Sequence, residues 1–99
     1  MFIEQKDLDI VKQVLYEVVP QYEVRVFGSR VHGNNLKKYS DIDLVVMTKE
    51  SLDLSIYSKL KNKFSDSDLP FKVDVVDWTN TNEKFQNIIS EKYEIIQNK

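Results

Sequence analysis

Two aspartates one residue apart inside an aliphatic run constrain this chain more than any other feature. In the stretch DIDLVVM, residues 41–47, Ile42, Leu44 and Val46 fall on one face of an extended chain, and Asp41, Asp43 and Val45 fall on the other. The stretch is predicted to be a strand. Side chains two apart on a strand point the same way, with their backbones roughly 6–7 Å apart, so both carboxylates aim at one volume. Aspartate is disfavoured in strands, and two like charges in a partly buried place raise each other's pKa or require a cation.

The surrounding pattern supplies the rest of a layered fold. Residues 4–19 space Leu8, Val11, Leu15 and Val18 as one face of a helix, with Pro20 shortly after as a stop. YEVRVFG alternates Val24 and Val26 against Glu23 and Arg25, then meets Gly28, which reads as a strand ending in a tight turn. Residues 29–40 are predicted as a helical turn and loop. Leu52, Ile56, Leu60 and Phe64 recur every four residues as the stripe of another helix, broken by SDSDLP. FKVDVVD, residues 71–77, is a further strand. Asn80 with Glu83 resembles a capping box opening a last helix that carries Phe85, Ile88, Ile89 and Tyr93. This order predicts an α/β (α+β) fold, a small mixed sheet of three or four strands with helices packed on it. Ninety-nine residues suffice for one core, and 1–99 is expected to be a single domain without a separate acceptor domain.

An Asp-x-Asp alone is common by chance and by itself reads as a solvated sheet face. Asp74 changes its weight. In KVDVV it stands on the opposite face from Val73 and Val75, so a neighbouring strand in suitable register would bring a third carboxylate to Asp41 and Asp43. Magnesium, a hard ion that takes one or two carboxylates and completes its shell with waters and phosphates, suits such a set. Three converging carboxylates can hold two ions, which clamp the attacking and leaving oxygens of an in-line phosphoryl displacement. Asp41 and Asp43 would then bridge the metals, and Asp74 would hold the second and help deprotonate the incoming hydroxyl. Asp77, of opposite parity and beside Trp78, is expected to be solvated or capping.

Gly28 and Ser29 end the first strand. Glycine permits close backbone approach, and a serine opening a helical turn offers its hydroxyl and amide to a phosphate. A serine cap on an ordinary turn explains the pair equally well until its position, just before the carboxylate strand, is considered. Arg30, Lys37 or Lys38 would neutralise phosphate charge, or be solvated surface.

Together GSRVHG, SDIDLVV and KVDVVDW resemble the polymerase-beta nucleotidyltransferase superfamily, over essentially the whole chain. The resemblance makes Gly28 and Ser29 the phosphate-binding pair, with Arg30 beside them. It makes Asp41, Asp43 and Asp74 the catalytic metal ligands for magnesium, with ATP as substrate. The chain is similar to the minimal nucleotidyltransferases of prokaryotes, whose partner is a small helical toxin of the HEPN class. That likeness implies an antitoxin that moves AMP, or another nucleotide, onto a tyrosine of the toxin. Eleven residues separate Ser29 from Asp41, one more than the commonest family spacing, and His32 stands where arginine is frequent.

Two other readings compete with this one. A contact antitoxin would keep the fold without catalysis, and transfer to a small molecule would require an acceptor pocket built by oligomerisation. Composition narrows the field further. Fourteen basic against sixteen acidic residues, net charge −2, give no general affinity for nucleic acid. The absence of cysteine excludes disulfides and thiolate sites. The charged N-terminus lacks a signal peptide's apolar stretch and no run reaches membrane-spanning length, so the cytoplasm is the expected compartment.

Overall fold

The computed structural model describes residues 1–99 except Asn35, Lys38 and Lys99. Helix α1 (Gln5–Val18) leads to β1 (Val24–Phe27), the single turn α2 (Ser29–His32) and β2 (Ile42–Val46). Helix α3 (Leu54–Ser65) then precedes β3 (Val73–Asp77), a 3-10 turn (Trp78–Asn80), α4 (Glu83–Glu91) and β4 (Glu94–Gln97). The sheet has the order β3-β2-β1-β4, with β1 antiparallel to both β2 and β4. β2 and β3 are parallel. A parallel pair needs a crossover, and α3 supplies it.

Strand alternation sends side chains into two apolar layers. Ile42, Leu44 and Val46 join Val24, Val26, Val73 and Val75 beneath α1 and α3, which contribute Val11, Leu15, Leu60 and Phe64. On the opposite face Phe27 and Val45 pack with Ile89 of α4, flanked by Val76 and Phe85. Val45 therefore serves a second core. The predicted stripes of α1 and α3 point inward as expected, although Leu52 precedes α3 and packs on the core from the loop. Asp53 caps α3 by accepting from the Ser55 amide at 3.2 Å.

The C-terminal fifth departs from the sequence expectation. Asn82, not Asn80, caps α4 by accepting from the Phe85 amide at 2.8 Å. The helix stops at Glu91, so Tyr93 lies beyond it, and the following Glu-Ile-Ile-Gln forms β4. Two adjacent isoleucines between polar residues carry no periodicity and read as helix or strand alike. Pairing decides the matter. β1 would otherwise present an open edge of backbone donors and acceptors, and the Gln97 side-chain amide donates to the Val19 and Tyr22 carbonyls, both at 2.9 Å, locking β4 beside the end of α1.

Candidate active site

The sheet brings two of the three predicted carboxylates, Asp43 and Asp74, together by register. Asp43 pairs with Asp74 across the parallel β2/β3 ladder, and Phe27 pairs with Asp43 across the antiparallel β1/β2 ladder. Directly paired residues share a face, so Phe27, Asp43 and Asp74 form one row on the α4 side of the sheet. Asp41 lies two residues before Asp43, just outside β2. Asp41 and Asp74 are exposed and Asp43 is half-buried. Among the described residues, no hydrogen bond or ion pair engages any of the three carboxylates.

That isolation has an electrostatic signature. Burial, followed by the negative charges of Asp74 and Asp41, pushes the Asp43 carboxyl up to about 6, and the charge of His32 acts in the opposite sense. The sequence left His32 without a role. It is exposed at the end of α2; the neutral ring accepts from the Asn34 amide at Nδ1 at 2.9 Å, and the protonated ring is near enough for its charge to act on Asp43.

Gly28 completes the approach. Its φ of 79° lies in the region that glycine adopts without strain, and a Cβ built there would stand 2.3 Å from Asp43 Oδ2. No side chain fits between the turn and the carboxylate. The chain turns immediately into α2, where the Val31 and His32 amides donate to the Gly28 carbonyl and Gly33, also at positive φ, ends the turn. Ser29 is thus held at the first position of α2, beside the carboxylate row.

The Arg30 side chain turns into the protein. It is 6% exposed, and its guanidinium donates to the Ser40 and Phe2 carbonyls while lying over the Phe71 ring. Lys37 is exposed in the loop between α2 and β2, and Lys38 lies outside the described residues. Of its two expected roles, solvated or capping, Asp77 takes the second. It is 8% exposed, accepts from Thr48 Oγ1, the Leu52 amide (2.7 Å) and Asn80 Nδ2 (3.1 Å), and caps the 3-10 turn through the Thr79 amide (3.3 Å).

The donor set fits a hard cation. No three His, Cys, Asp or Glu side chains among the described residues close on a point tightly enough to hold an ion alone. Magnesium asks for less, one or two carboxylates with waters and phosphates for the remainder, and the mutual repulsion at Asp43 is what such an ion would relieve.

Comparison with known proteins fits this geometry. The sequence profile of the family described as Polymerase beta, Nucleotidyltransferase matches residues 11–99. The chain belongs to this nucleotidyltransferase family. A relative from Haemophilus influenzae, described as probable protein adenylyltransferase MntA, is 48% identical over 97 residues, covering 98% of this chain and 84% of the relative. Among solved structures, a toxin-antitoxin with AMP-PNP superposes with a TM-score of 0.74 at 22% identity, over 93% of this chain and 73% of the other. A tri-AMPylated Shewanella oneidensis HEPN toxin in complex with MNT antitoxin gives a TM-score of 0.71 at 21% identity, over 98% and 74%. At these identities the structural likeness carries the nucleotidyltransferase fold, and the profile carries the family.

Proposed function

We propose that this nucleotidyltransferase moves AMP from ATP onto a hydroxyl, a tyrosine in the first instance, of a HEPN-class toxin, and that this transfer makes it an antitoxin. The observation that carries the reading is the pairing of Asp43 with Asp74, with Asp41 two residues upstream and Gly28 pressed against Asp43. Family membership, the name of the Haemophilus relative and the AMPylated toxin among the structural neighbours support it. The domain that acts is taken as 1–99. Since no helix among the described residues is long and apolar enough to cross a membrane, and ATP is the donor, the cytoplasm is its proposed setting.

Asp41, Asp43 and Asp74 are the groups that would hold magnesium, as one ion or two. Bound there, magnesium would neutralise the triphosphate and the charge that builds on its oxygens during transfer. Gly28 lets the phosphates approach the backbone, and Ser29 donates its hydroxyl and amide to them. The acceptor oxygen attacks the α-phosphorus, the bond from that phosphorus to the bridging oxygen breaks, and pyrophosphate leaves. The hydroxyl proton passes to an Asp74 carboxylate oxygen, which is exposed and so open to an incoming protein.

The test is intact-mass measurement of a purified HEPN-class toxin after incubation with this chain, ATP and magnesium, beside the Asp41→Asn/Asp43→Asn variant. An adenylyl increment that depends on the aspartates is expected, with peptide mapping to locate the acceptor. A stable complex with no increment would replace the enzyme by a contact antitoxin, and transfer to a small acceptor without the toxin would redirect the substrate.

A further inference from the structure

We infer that Arg30 is a positioning residue that holds three segments of the site in mutual register, and is not a ligand of the phosphates. This rests on the nucleotidyl-transfer reading. Arg30 directly follows Ser29, so its backbone belongs to the turn proposed to bind phosphate. Its side chain reaches the other two segments. Nε and Nη2 both donate to the Ser40 carbonyl, at 3.0 and 2.7 Å, and Ser40 is the residue before Asp41. The guanidinium carbon lies 4.2 Å from the centroid of the Phe71 ring, and Phe71 leads into β3 three residues before Asp74.

A third tie steadies the turn itself. Nη1 donates to the Phe2 carbonyl at 2.9 Å, and the Phe2 amide donates back to the Arg30 carbonyl at 2.6 Å. The N-terminal segment and α2 therefore grip each other in both directions. The Phe2 ring also closes over Gly33, where a Cβ would meet it at 2.9 Å. One buried side chain thus touches the peptide leading into Asp41 and the ring leading into Asp74, and its own backbone extends the Ser29 turn.

The residue type is specific to this task. A planar guanidinium can place two donors on one carbonyl oxygen, a third on another carbonyl, and its face on an aromatic ring. Lysine keeps the charge but has no plane and no fork. The three bonds described end on carbonyl oxygens, so they draw no carboxylate away from the proposed metal-binding row. Correct spacing of reacting groups is worth a large factor in rate, since about 1 Å of misplacement can cost 100-fold.

The experiment compares wild type, Arg30→Lys and Phe71→Leu as full-length proteins. Thermal unfolding establishes folding, adenylyl transfer to the toxin gives kcat and KM for ATP separately, and EPR follows binding of Mn2+ with a non-hydrolysable ATP analogue. Arg30→Lys is expected to lower kcat about 10- to 100-fold with KM for ATP within about threefold of wild type, and to weaken Mn2+ binding about tenfold. Phe71→Leu leaves the cation in place and is expected to move kcat and Mn2+ affinity in the same direction by a smaller factor. It keeps the test decisive should Arg30→Lys fail to fold. A tenfold rise in KM with kcat preserved would make Arg30 a phosphate ligand and overturn the inference, as would folded variants that match wild type in both readouts. Wild type that transfers nothing yet loses Mn2+ affinity in the variants would sink the transfer reading and keep the positioning role; wild type that neither transfers nor binds Mn2+ would sink both.

Discussion

Two aspartates of β3, three residues apart and on opposite faces, have opposite lives. Asp77 is buried under Leu52 and the 3-10 turn, and its carboxylate collects donors from Thr48, Leu52, Thr79 and Asn80. Asp74 and its register partner Asp43 receive no such donors from the described residues, and burial, with the charges of Asp74 and Asp41 added, pushes the Asp43 carboxyl up. A buried carboxylate that the protein satisfies internally is a structural part, because every lone pair already has a partner. One left unsatisfied beside others of its charge is a cost to the fold, and such perturbed groups gather where chemistry is done.

The contrast can be broken most directly at the unsatisfied end. Asp41→Asn/Asp43→Asn should reduce adenylyl transfer at least about 1,000-fold without lowering the midpoint of thermal unfolding, measured by calorimetry beside the mass assay. If the variant unfolds instead, the two carboxylates are structural like Asp77 and the comparison collapses.

Gly28→Ala attacks the same row through sterics. A methyl at 2.3 Å from Asp43 Oδ2, on a backbone with φ of 79°, must displace the turn or the carboxylate. Transfer should fall about 100-fold, with a stability loss of roughly 1–3 kcal/mol for the strained conformation, read from urea titration. Unchanged transfer would mean that the closeness of Gly28 to Asp43 has no bearing on chemistry.

Asp77→Ala probes the satisfied end. It leaves the Leu52 amide without its acceptor and takes one partner each from the Thr48 hydroxyl and the Asn80 amide group, and should destabilise by about 2–4 kcal/mol while the KM for ATP of the folded fraction stays at the wild-type value. A selective loss of ATP binding with stability intact would move Asp77 into the active site.

The smallest effect concerns pH. The carboxyl of Asp43 is raised in the folded protein, to about 6 from its ordinary 3.8, so the folded state holds that proton more tightly than the unfolded chain does. The resulting stabilisation is fully present below the unfolded value and is lost as pH rises through about 6. Metal-free Asp43→Asn should therefore be more stable than metal-free wild type above that pH, by on the order of 1 kcal/mol after allowance for solvent screening. The advantage should fade as pH falls toward 4, the ordinary aspartate range. Urea titrations across that range measure it, and an advantage that grows toward low pH would refute the assigned cause.

Alternation along a strand is a local property, so the sequence alone determined that Asp41 and Asp43 share a face opposed to Ile42 and Leu44, that Asp74 opposes Val73, and that a glycine turn precedes them. Helical stripes such as Leu60 and Phe64 were legible for the same reason. What lies across a strand is not local. Only the tertiary structure decided that Asp43 stands opposite Asp74, because the α3 crossover sets that register, and that Val45 feeds a second core under α4. It set the Arg30 side chain on the Ser40 carbonyl and Phe71, and made Asp77 the capping residue the sequence allowed, adding donors from Thr48 and Leu52. It also cut the last helix at Glu91 so that β4 could cover the edge of β1. In each of these cases the deciding energy comes from partners distant in the chain, a carbonyl ten residues on or a strand seventy residues away, and no reading of neighbours along the sequence contains it.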